Sequence, residues 1–94
     1  MKIGEKYYVV TGSYNNSRFA LVQLLSRDLS FNKVIIIDNI ISFPLSLKYN
    51  DVFNPGSKSF YEDYEHAFQE FARINNFEPT EYGFIKFLFT KAAV

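Results

Sequence analysis

Hydrophobic and polar positions change period several times along the chain, and each change marks an element. Lys6-Tyr-Tyr-Val-Val-Thr-Gly12 alternates, with Tyr7, Val9 and Thr11 on one side and Tyr8 and Val10 on the other. Both sides are largely apolar, which predicts a strand covered on both faces. Gly12-Ser-Tyr-Asn-Asn16 is turn chemistry. Over residues 17–29, Leu21, Val22, Leu25 and Leu29 recur at helical spacing, with Asn16 or Ser17 placed to cap the first turn. Four Leu, one Ala, one Gln and two Arg add helix propensity, so a helix is the first reading. The same residues also suit a strand that folds back through a tight hairpin at 14–17. Phe19 would then lie across from Gly12 and Leu21 across from Val10.

Residues 33–38 hold the aliphatic run Val34-Ile-Ile-Ile37 and predict a central strand with Ile35 and Ile37 buried. Ile40–Leu47 suits an edge strand, because Pro44 cannot donate to a ladder. Residues 49–56 read as loop. Ser59-Phe-Tyr-Glu62 matches a capping box. Phe60, Tyr64, Ala67, Phe68, Phe71 and Ile74 follow at spacings of three and four, predicting a helix over 59–76 that ends at Asn75-Asn76. Phe84-Ile-Lys-Phe-Leu-Phe-Thr90 is β-branched and aromatic and predicts a strand, with a short helix from near Thr80 as the alternative. The sum is a single domain over residues 1–94, α/β to α+β, with a mixed three- or four-stranded sheet and about two helices in the order β-α-β-(edge β)-α-β. The alternative is an antiparallel meander of strands at about 6–13, 18–26 and 33–38, followed by the helix 59–76.

Composition narrows the function classes. The hydrophobic fraction of 48% and charged fraction of 21% are those of an ordinary folded domain. Eleven Phe and seven Tyr are an unusual share, and rings build a core from few residues. The absence of cysteine excludes a disulfide framework, thiolate catalysis and Cys-ligated zinc, and it favours a reducing compartment. The opening Met-Lys-Ile-Gly-Glu-Lys lacks the apolar stretch of a secretory signal, so a cytoplasmic location is expected. No run approaches the ~20 apolar residues of a membrane span. Ten basic and ten acidic residues give zero net charge, so neither nucleic acid nor a membrane is the expected partner. Residues 1–48 hold six Lys/Arg against three acids (+3) and residues 49–94 hold four against seven (−3). Such an asymmetry suits head-to-tail contacts but is also ordinary for a solvated surface.

Catalytic patterns are sparse. There is no phosphate-binding Gly-x-x-x-x-Gly-Lys-Ser/Thr and no Gly-x-Ser-x-Gly elbow. His66 is the sole histidine. Glu62, His66 and Glu70 stand four apart, and Asp63-x-x-His66 is half of a carboxylate-bridged metal motif, but such sites need a second ligand-bearing helix. Solvated neighbours on one helix face are the simpler reading, and no metal or cofactor is expected.

Val9-Val-Thr-Gly12, Leu21-Val-Gln-Leu-Leu25 and Val34-Ile-Ile-Ile-Asp-Asn39 together resemble the opening of extended short-chain dehydrogenases and sugar-nucleotide epimerases. That resemblance implies a parallel βαβ unit with a dinucleotide at its strand ends, Gly12 as the first glycine and Asp38 as the ribose carboxylate. Asn15 and Arg18 stand where the second and third glycines belong, and the match covers a third of the chain, so no family is assigned.

The leading expectation is a small non-enzymatic protein-interaction or regulatory module, an accessory or inhibitor protein of a microbe or phage, acting by protein binding or self-association. The segments Ile41–Leu47 and Phe84–Phe89, both carrying large apolar side chains, nominate Phe43, Leu45, Leu47, Phe87 and Phe89 as interface residues, with a homo-oligomer as the simplest partner. The alternative is a small-ligand or nucleotide-binding domain using Gly12, Asn15, Arg18 and Asp38, which a right-handed βαβ unit would gather at one sheet edge.

Overall fold

The computed structural model describes residues 1–13, 16–29, 31–43 and 51–92. It is an α+β fold in which strands β1 (Lys6–Ser13), β2 (Asn16–Arg27) and β3 (Asn32–Phe43) form an antiparallel meander. Two short strands, β4 (Val52–Phe53) and β5 (Phe60–Tyr61), flank it, giving the order β4-β3-β2-β1-β5 among the described residues. Helices α1 (Tyr64–Asn75) and α2 (Glu81–Ala92) follow.

Of the two orders left open by the sequence, the antiparallel meander is the one found. Residues 17–29 do not form a helix. Val10 pairs with Phe19 and Gly12 with Ser17, a register shifted by two residues from the hairpin expectation. The reason lies in β2's position. It is paired on both sides, and Ser17, Arg18, Phe19 and Ala20 are all buried, so both faces carry apolar or enclosed side chains. A strand buried on both faces loses its alternation and can mimic helical spacing, and tertiary burial overrides the weak propensity of Leu and Arg.

The meander separates two cores. Tyr7, Val9, Ala20, Val22, Leu24 and Val34 pack on one face with Phe53 and Phe60. Val10, Phe19 and Phe43 pack on the other with Ala67 and Phe71 of α1 and Phe87 of α2. The first face is covered by residues 54–59, which link β4 at one sheet edge to β5 at the other and include a 3-10 turn at Ser57–Ser59. Asn32, buried at the start of β3, donates from Nδ2 to the Pro55 carbonyl (3.3 Å) and to Ser57 Oγ (3.1 Å), fixing this strap. A flat five-stranded sheet sets its outer strands about 19 Å apart, which leaves a six-residue strap little slack to rise over side chains. Three register shifts between β2 and β3 supply the curvature.

These shifts also correct the expected core. The central strand is β2 rather than β3, Val34 is fully buried, Ile35 is half-buried and Ile37 is 47% exposed. The proposed edge strand Ile40–Leu47 divides: its first four residues continue β3, while Pro44, Leu45 and Leu47 lie outside the described residues.

Ser59 does not cap the long helix. Phe60-Tyr61 are drawn into the sheet by pairing with Val9 and Tyr8, so the helix starts later, at Tyr64. Asp63 is its N-cap and accepts from the His66 backbone N–H at 2.8 Å. Asn76 ends it in the left-handed region (φ 58°), with its N–H directed at the Ala72 and Arg73 carbonyls. The expected stop at Asn75-Asn76 is therefore present. Residues 84–90 are helical, not a strand, and Thr80 supplies the start by accepting the Gly83 N–H on Oγ1 at 3.0 Å.

Two outcomes check this fold in denaturant titrations. Phe19→Ala should destabilise by about 3–5 kcal/mol as a core cavity, whereas Ile37→Ala should lose about 1 kcal/mol or less. Asp63→Ala should lose about 0.5–2 kcal/mol through the orphaned helix N–H, and Ser59→Ala should change stability by less than about 0.5 kcal/mol.

Candidate interaction surface

The chain after Asn75 is built around rings. Phe77, leaving α1, stacks on Phe87 at 4.6 Å between centroids and meets Phe84 at 5.7 Å. Phe84 also meets Phe68 at 5.7 Å, and Phe87 meets Phe43 edge-on at 5.0 Å. These contacts hold α2 against α1 and the sheet through Phe84, Phe87 and Leu88. Gly83 makes the close approach possible. A Cβ there would overlap the Glu78 carbonyl oxygen, which is backbone and cannot swing away.

The opposite side of α2 is also apolar. Tyr82 and Phe89 are each 73% exposed and Ile85 is 49% exposed, at positions i, i+3 and i+7 of one helix face. A soluble helix ordinarily carries one apolar stripe, so this second one requires an explanation. Glu81 and Lys86, both exposed, border the stripe on its two sides. Between the end of α1 and α2 lies a groove of about 340 Å³ lined by Asn75, Phe77, Tyr82, Lys86 and Phe87, among others. Asn75 is buried there and donates to the Phe71 carbonyl at 2.9 Å.

The interface residues named from sequence fall into three groups. Phe43 and Phe87 are interior, 4% and 7% exposed, and hold the helices to the sheet. Phe89 is on the surface. Leu45 and Leu47 lie outside the described residues. Tyr82 and Ile85 were missed because a strand period was applied to 84–90, and the helical period selects them with Phe89.

Among the described ligand candidates, Asp38 stands apart from Gly12 and Arg18. Gly12 has φ +96°, and a Cβ would overlap the Asn16 carbonyl, so it serves the hairpin. Asn15 is outside the described residues. Arg18 is 4% exposed, paired with Thr11 and Ser42, and its guanidinium lies over the Phe53 ring at 4.6 Å. Asp38 pairs with Leu21 and is exposed, four residues from Ser42 along β3, about 13 Å of extended chain. The juxtaposition that a parallel βαβ unit would create is absent. A Tyr-x-x-x-Lys spacing occurs at Tyr82 and Lys86. It sits on the exposed side of α2 with no such unit to serve.

Two charged pairs lie on α1. His66 Nδ1 lies 3.3 Å from Asp63 Oδ2 on the exposed start of α1. Glu70 accepts from Arg73, which holds its carboxyl below the usual range, and the pair raises the Arg73 value in return. Burial raises Tyr61, and the nearby Glu70 charge adds to it. Among the described residues, no group of three His, Cys, Asp or Glu side chains is arranged to hold a metal, and no helix is long and apolar enough to cross a membrane. No known family, curated protein or solved structure matches this chain.

The Gly83 approach is directly testable. Gly83→Ala should lower the melting temperature by several degrees, equivalent to a loss of about 1–3 kcal/mol from overpacking, although alanine has the higher helix propensity. A neutral or stabilising result would mean that α2 does not pack against the Glu78 carbonyl.

Proposed function

We propose that this chain is a small non-enzymatic interaction module that binds protein through the outer face of α2. The observation that supports it is the display of Tyr82, Ile85 and Phe89 on the side of α2 opposite its core contacts. Aromatic side chains are enriched among residues that dominate binding energy, and charge is depleted at interface centres. The zero net charge and the dispersed lysines favour protein over nucleic acid as the partner. The absence of cysteine fits a reducing compartment such as the cytoplasm. An accessory or inhibitory role is consistent with this, as a protein that acts by occupying another surface.

The small-ligand alternative based on Gly12, Asn15, Arg18 and Asp38 rested on their convergence, and Asp38 stands apart from the hairpin end. A photo-cross-linking side chain placed at Ile85 in the producing cell discriminates the readings. Adducts of defined mass should form from position 85 and not from exposed Glu65 on α1, and Phe89→Lys should remove them. Equal labelling from both positions, or none from 85, would leave the α2 face without a binding role.

A further inference from the structure

The geometry points to a second copy of this chain as the occupant of the α2 face, packed as a parallel two-fold helix pair. This rests on the interaction reading above and names its partner. Tyr82, Ile85 and Phe89 have the 3-4 spacing of a coiled-coil seam, with Tyr82 and Phe89 at a positions and Ile85 at d. In that frame Glu81 is a g position and Lys86 is the following e position, five residues later. That separation is the one at which g and e′ side chains meet across a parallel pair. Two identical Glu81–Lys86′ bridges form, one on each side of the seam. An antiparallel pair centred on the same stripe sets Lys86 against Lys86′ near the two-fold axis instead. Charge thus selects both a self-partner and its direction, and neither residue is held in an ion pair among the described residues.

The stripe is turned away from Phe84, Phe87 and Leu88, which hold α2 to the sheet and α1, and the groove at the end of α1 borders it on the Lys86 side. Pairing like with like along the seam stacks Tyr82 on Tyr82′ and Phe89 on Phe89′. The area is small. Two aromatics at about three-quarters exposure and one half-exposed Ile offer roughly 300–400 Å² per chain, against about 800 Å² per partner in a stable complex. The dimer is therefore a weak one that dissociates on dilution.

Sedimentation equilibrium from low micromolar to near-millimolar concentration tests this on the full chain. The average mass should rise from one chain toward two. Phe89→Lys should keep it at one while the circular dichroism spectrum and melting curve stay those of the wild type. Glu81→Lys and Lys86→Glu should each weaken association by about three- to thirtyfold, from the loss of two exposed bridges, and the double exchange should restore it. Because the chain lacks cysteine, Tyr82→Cys and Phe89→Cys report direction cleanly. Oxidised mixtures of the two should give like-with-like disulfides, whereas 82–89 disulfides would overturn the parallel pairing. A wild type monomeric at every concentration would overturn the second copy as partner. If adducts from Ile85 still form in that case, the interaction reading survives with a different protein; if they do not, both fall.

Discussion

The enclosure of β2 is the constraint on which the other elements depend. Its residues Ser17 to Ala20 are buried without interruption, paired on one side with β1 and on the other with β3. Phe19 turns toward the helices and meets Tyr64 at 5.3 Å and Phe71 at 5.6 Å. Arg18 turns to the other face and lies beneath Phe53. Each face of this strand therefore requires its own cover. The helices supply one cover and the strap between β4 and β5 the other. The sheet is a shared partition, and the core is two thin layers rather than one thick one.

That division decides what was legible in the sequence. The first strand was readable because both of its alternating sets are apolar, and α1 because Ala67, Phe68, Phe71 and Ile74 keep a helical period. β2 was legible only as the alternative to a helix, since a strand sealed on both faces carries little alternation to read and its leucines favour helix locally. The start of α1 was misplaced for a different reason. The Ser59-Phe-Tyr-Glu62 box precedes an apolar run, but long-range pairing of Phe60-Tyr61 with β1 moves the cap to Asp63. The ligand residues depended on a parallel connection, so their grouping was lost with it.

α2 shows the converse failure. Its Phe and Ile residues point to strand by propensity, while Thr80 at its start and the ring contacts of Phe84 and Phe87 impose a helix. Phe84, Phe87 and Leu88 complete the thin helical layer, and the rings of Tyr82 and Phe89 remain over. A thicker core would have drawn them in. With the sheet already serving two layers, α2 forms an outermost wall, and an outermost wall has a far side.

The composition of that far side carries further weight. A chain of zero net charge lacks the net charge that steers oppositely charged partners together and raises encounter rates. The proposed pairing therefore relies on short-range fit, and a seam of three apolar side chains offers little discrimination by itself, since apolar contact is non-directional. Glu81 and Lys86 add direction at small energetic gain, because exposed pairs contribute little stability but opposed like charges penalise the wrong alignment. On the proposed pairing, such a surface favours reversible association that is selective in register over tight binding.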